Sequence, residues 1–155
     1  MLDEIKNWLN DWKETRGMTI KFLEIVPKEK FNWKPHELLG TFGMQVRHLI
    51  IVQKNYIDGM KKKKIDFSDK SFDKKIESDK KIAISRLKKL DKELEGLLEK
   101  INNLNHEIVF VDGVSGEHKV KLLTVLTYLV NHEFYHQGIF TCYGRLAGLG
   151  KFTFM

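Results

Sequence analysis

The stretch Asn131-His132-Glu133-Phe134-Tyr135-His136-Gln137-Gly138 carries two histidines four residues apart. On an α-helix this spacing places both imidazoles on one face, a turn apart, where they can chelate one metal ion. At ~100° per residue, Val125, Tyr128, Leu129, His132, His136, Ile139 and Tyr143 share a stripe, so the pair lies on the face expected to be buried. Two imidazoles in register on an apolar face, with an acid beside them, point to metal binding rather than to two separate core histidines.

His132-Glu133-Phe134-Tyr135-His136 also spells H-E-x-x-H, the zinc-protease motif in which the histidines bind metal and the glutamate activates water. That makes Glu133 the candidate general base. So short a motif is weakly specific. Such enzymes take a third ligand from further along the chain, and beyond His136 this sequence has no His, Asp or Glu. The longer pattern needs Gly at 139 and His at 142, where Ile139 and Cys142 stand. A metallohydrolase of that type is therefore the weaker alternative. The third ligand is sought upstream, among His36, His48, His106 and His118. His36 lies in a connection, and His106 and His118 flank a turn-rich stretch. His48 lies within a strongly apolar helical segment, where a protonatable ring needs a partner. Three imidazoles from two facing helices would hold an ion and leave positions open for water or substrate.

Four amphipathic segments are available to position these groups. Leu2, Ile5, Leu9, Trp12, Thr19, Leu23 and Val26 predict a helix over 2–26, with a polar gap around Arg16 and Gly17 and a stop at Pro27. A connection follows, containing Trp33-Lys34-Pro35 and Leu39-Gly40. Thr41 is an N-cap for a second helix over 41–61, with Phe42, Val46, Leu49, Ile50, Tyr56, Ile57 and Met60 on its apolar face. After a loop at 65–72, Ala83, Leu87, Leu90, Leu94, Leu97 and Ile101 form a heptad-like seam in a third helix over 73–101. Ile108-Val109-Phe110-Val111, two Gly-containing turns and His118-Lys119-Val120 predict a small hairpin or extended loop. The fourth helix covers 122–147, and Phe152 and Phe154 of the tail are expected to dock on the bundle. The fold class expected is all-α, a single four-helix bundle over 1–155 with no sheet larger than a hairpin.

The charge balance excludes little. The net charge of +6 is carried almost wholly by lysine, and the run Lys61–Lys92 is interleaved with acids. Arginine is the better reader of phosphate and base edges, so this run reads as a solvated face and no nucleic-acid partner is expected. No apolar run is long enough to span a bilayer, so no membrane partner is expected. The first residues lack the basic start and apolar core of a signal peptide, which makes the cytoplasm the expected location. The one cysteine, Cys142, falls off the histidine stripe and cannot form an internal disulfide.

Two anchors give the chain a family likeness. One is Trp33-Lys34-Pro35, then Leu39-Gly40-Thr41-Phe42-Gly43 and Arg47-His48-Leu49. The other is Asn131 to Gly138, followed by Gly144-Arg145-Leu146 and Gly148. With their separation, these resemble the DinB-like (YfiT-like) metalloenzyme family across essentially the whole chain. The resemblance implies a four-helix bundle whose histidine triad holds zinc, nickel or a similar divalent ion. Carried over, the triad is His48, His132 and His136. Many relatives have Arg after the last histidine and Gln after the following glycine, where this chain has Gln137 and Ile139.

For some members the resemblance implies S-transfer using a low-molecular-weight thiol such as bacillithiol, mycothiol or glutathione. It also implies a homodimer. A divalent ion with an open position lowers the pKa of a thiol, or of water for hydrolysis. Gln45, one turn before His48, and Tyr128, one turn before His132, are candidates to line the pocket, and Trp33 to cover its mouth. The competing class is a non-catalytic protein whose metal site stabilises it or supports partner binding.

Overall fold

The computed structural model describes residues 1–67 and 73–150. Four long helices form the bundle, as the apolar periodicity requires: α1 (Asp3–Ile25), α3 (Phe42–Lys62), α5 (Lys80–Leu98) and α6 (Leu122–Leu146). One-turn helices α2 (Lys28–Phe31) and α4 (Lys74–Ser78) lead into the second and third of them. The Thr41 hydroxyl caps α3 by accepting from the Met44 amide at 3.0 Å. Lys63 closes that helix in the left-handed region (φ 58°).

The segment expected as one helix over 73–101 is divided at Asp79. Its carboxylate accepts from the Lys81 and Ile82 amides at 2.8 and 3.3 Å, starting α5 afresh, while Asp73 caps α4 in the same way. A short aspartate competes well for free amides at a helix start, so two caps in one run divide it. The seam is buried at Ala83, Leu87, Leu90 and Leu94 and then shifts to Leu98, with Leu97 and Ile101 only partly covered.

The all-α expectation needs correction. The predicted hairpin is present as β2 (Glu107–Asp112) and β3 (Gly116–Lys121), but β1 (Lys64–Ile65) adds a parallel third strand against β2. The two-residue strand follows α3 with only Lys63 between, too short a stretch for alternation to reveal. Ile65 is fully buried against Gly59, where a methyl group on the glycine would collide with it. The tail residues Phe152 and Phe154 lie outside the described residues.

Phe22, Phe42 and Phe140 bring α1, α3 and α6 together in one ring cluster, with Phe22 and Phe140 centroids 5.6 Å apart. Ile5, Leu9 and Trp12 fill the other half of α1's buried face. Among the described residues no helix is long and apolar enough to cross a membrane.

Candidate metal centre

His48 on α3 meets His132 and His136 on α6. One ligating nitrogen from each ring lies within 4.8 Å of the others. The Nε2 atoms of His132 and His48 are 3.2 Å apart. Two nitrogens bound to one zinc at ~2.0–2.1 Å and a near-tetrahedral angle would sit ~3.3 Å apart, so this pair is already at chelating distance. His136 is 2% exposed, and neither of its ring nitrogens has a hydrogen-bond partner among the described residues. Buried polar atoms are ordinarily satisfied, so an orphaned imidazole aimed at two others fits a bound cation. His132 is partly covered and His48 is the most exposed of the three, with part of its ring covered.

The electrostatics suit ligation. Burial, then the neighbouring His48 and then Arg16, hold His132 down to about 4. Burial, then His132 and His48, hold His136 down to about 3. His48 is lowered as well, by burial and by Arg47. Neutral rings at neutral pH are the state a metal requires.

An open cleft of about 1030 Å³ lies beside His48 and His136. Its wall includes Met44, Gln45, Arg47, Phe134, Tyr135, Ile139, Cys142 and Tyr143. Gln45 lies on this wall, one turn before His48. Cys142 is exposed on this wall. Tyr128 does not reach the wall; its ring packs edge-on against Phe110 of the hairpin, 5.4 Å between centroids. Trp33 packs on Phe42 at the bundle end, under Lys30, and does not line the cleft either. His36 bonds the Leu38 amide, His106 lies near the Asn103 carbonyl and His118 near Asp112, all apart from the triad.

Glu133 is turned toward α1. It is 1% exposed, receives the Thr19 hydroxyl at 2.5 Å and pairs with Arg16 at 3.2 Å, both on α1. Burial pushes its carboxyl up, against the pull of Arg16 and Thr19. Gln137, one turn on, donates to the Thr15 carbonyl and the Thr19 hydroxyl at 2.8 and 3.0 Å. Arg16 also donates to Gln53, whose amide donates to Asp91, as does the Trp12 indole. Sequence reasoning missed this network. The residue taken as a polar gap, Arg16, is 3% exposed. The legible signal was a match of period: Thr15, Arg16 and Thr19 on one helix, Glu133 and Gln137 on another, each set on a buried stripe.

Residues 1–154 match the DinB family, and the chain belongs to it. Solved structures share the fold. A DinB-like protein of Bacillus subtilis, YjoA, is 20% identical with a TM-score of 0.73, over 96% of each chain. A DinB-like protein of Bacillus cereus is 19% identical with a TM-score of 0.74, over 92% of each. YfiT from Bacillus subtilis, described as a probable metal-dependent hydrolase with an unusual four-helix bundle topology, is 17% identical with a TM-score of 0.73, over 96% of this chain and 90% of its own. No curated protein matches the chain.

Proposed function

We propose that this chain is a divalent-metal-dependent enzyme acting on small molecules, with His48, His132 and His136 as the ligands and thiol transfer as its reaction. The observation that carries the metal is the convergence of three imidazoles around a buried His136 with no other partner for its nitrogens among the described residues. Imidazole donors suit zinc or nickel. When bound, the ion supplies Lewis acidity, lowering the proton affinity of a thiol or a water.

The orientation of Glu133 favours the thiol. Hydrolysis on the H-E-x-x-H plan needs this carboxylate at the metal to take a proton from water. Here Thr19 and Arg16 of α1 hold it, buried and about 100° round α6 from His132. A thiol is far more acidic than water and needs no such base. The chain's own residues then divide the work. The neutral imidazoles hold the ion, Gln45 and Tyr143 shape the cleft, and the network behind α6 fixes the helix that carries two of the ligands. Hydrolysis is the second reading, favoured by the fold likeness to YfiT.

Elemental analysis of the purified protein, followed by a turnover assay with a thiol and an electrophile, tests this. Multiple turnovers abolished by chelation and restored by zinc or nickel are expected. Ester or amide turnover that ignores added thiol would move the reading to hydrolysis. A blank assay with metal bound and a large metal-dependent rise in Tm would move it to a non-catalytic protein.

A further inference from the structure

Folding separates charges that the sequence interleaves. Between residues 80 and 92, Lys80, Lys81, Arg86, Lys88, Lys89 and Lys92 stand against Asp91 alone, a net +5 of the chain's +6. That acid and those flanking the stretch are committed elsewhere. Asp79 caps α5, and Asp91 accepts from the Trp12 indole and the Gln53 amide. Glu95 receives Lys13, and Glu93 borders a separate hollow with Asp58 and Arg86.

The lysines meet at a groove of about 630 Å³ where α5 passes the end of α1. From α5 come Lys81, Ile84, Ser85, Lys88, Lys89 and Lys92. Glu24 is the one acid among the described residues lining it, 3.9 Å from Lys88. Lys80 donates to the Glu24 and Val26 carbonyls at 3.0 and 2.6 Å, tying α5 to α1. Lys81, Lys89 and Lys92 are exposed and have no ion-pair partner among the described residues.

Spacing and shape decide what suits this wall. Lys81, Ser85, Lys89 and Lys92 share one stripe of α5, at steps of ~6, ~6 and ~4.5 Å along its axis. An extended peptide presents alternate side chains to one side every ~6.8 Å. The flexible lysine stem absorbs so small a mismatch. No arginine is among the described residues lining the groove, so the bidentate grip suited to phosphate is missing. A concave wall also fits a chain laid along it better than a flat lipid surface.

We propose that this groove docks an extended acidic segment of a partner protein, with alternate carboxylates paired to Lys81, Lys89 and Lys92 and the Ser85 hydroxyl between them. The groove shares no lining residue with the cleft beside the histidines, so the docking is independent of the metal chemistry.

The test uses full-length protein and two labelled eight-residue peptides, one alternating Glu with Ser and one alternating Gln with Ser. Binding is read by fluorescence anisotropy at ~0.15 M salt, where distant charges are screened. The acidic peptide should bind at least roughly tenfold tighter than the neutral one. Replacing Lys81, Lys89 and Lys92 together by Gln should lower its affinity roughly tenfold, as the loss of three exposed ion pairs allows. Replacing the exposed Lys6, Lys34 and Lys100 by Gln removes the same charge elsewhere and should cost less than about twofold. Equal binding of the two peptides, equal losses in the two triple variants, or no binding of the acidic peptide in the low-millimolar range would each overturn the proposal. So would duplex DNA, or phosphatidylcholine vesicles with one phosphatidylserine in four lipids, if either held the native chain more tightly than the acidic peptide does. The comparison of the two peptides needs only the native chain, so it decides the matter even if a variant fails to fold.

Discussion

Residues 132 and 133 are neighbours, as are 136 and 137, yet α6 hands each pair to different surroundings. Toward α3 it shows His132 and His136, beside an open cleft, with His136 unsatisfied among the described residues. Toward α1 it shows Glu133 and Gln137, closed off and bonded to Thr15, Arg16 and Thr19. Both clusters are polar and both interrupt a hydrophobic core. The difference lies in where their hydrogen-bonding capacity goes. The α1 side spends most of its capacity internally and can hold helices together, although Arg16 Nε and Nη1 are buried with no hydrogen-bond partner among the described residues. The α3 side pairs His132 with His48 and leaves both His136 nitrogens without a partner among the described residues.

The comparison is broken most severely by removing Arg16. Arg16→Met leaves Glu133 and Asp91 without their cation, and removing one partner of a buried pair costs roughly 3–5 kcal/mol. Chemical denaturation should show a loss of that order, smaller in acid because Glu133 can then be protonated. The folded fraction should still bind one ion per chain.

Alanine at His48, His132 or His136 should do the reverse. Calorimetric titration should show metal affinity reduced by more than roughly 100-fold, a larger loss than removing a group behind a ligand. Metal-free stability should hold steady or rise in His136→Phe, which removes the unsatisfied buried nitrogens while keeping most of the ring's volume.

A third difference appears with pH. Unfolded histidines take up protons near 6.5, whereas folded His132 and His136 resist until about 4 and 3. The unfolded state therefore binds more protons inside that window. Metal-free stability should be intact above pH 6.5 and decline as pH falls toward the folded values. Denaturation midpoints measured across that range should show the decline, and His136→Phe should flatten it. Metal affinity should persist further into acid than ordinary imidazoles would allow.

The smallest effects are expected away from both clusters. His36→Ala, His106→Ala and His118→Ala should leave metal stoichiometry unchanged and shift stability by no more than ~0.5 kcal/mol, as surface substitutions do. Loss of metal in any of them would redraw the triad.

Helix periodicity and capping residues made the four long helices legible, and i, i+4 spacing made His132 and His136 legible as a pair. His48 could be chosen because its segment was apolar while the other histidines sat among turn formers. The misreadings share a physical origin. Periodicity fixes which residues share a stripe, but the centre of the buried stripe depends on the neighbours. On α6 that centre runs through Leu129, Glu133, His136 and Phe140, which buried Glu133 and left Tyr128 37% exposed. Likewise Arg16 reads in sequence only as a polar gap because its partners lie 37 and 117 positions away, at Gln53 and Glu133. Such pairings are invisible without the fold. The two-residue β1 carried too few residues to alternate.

That small sheet gives the three histidines a common baseline. α3 runs into β1 through Lys63 alone, and β3 runs directly into α6. His48 lies fourteen positions before Lys62, the last residue of α3, and His136 lies fourteen positions after Leu122, the first of α6. At ~1.5 Å per residue both histidines stand ~21 Å along their helices from the same three strands. The two arms work like calipers of equal reach joined at one pivot. Inserting or deleting one residue between pivot and histidine in either arm would lengthen or shorten it by ~1.5 Å and swing the ring by ~100°. Chelation would be lost with every ligand still in the sequence.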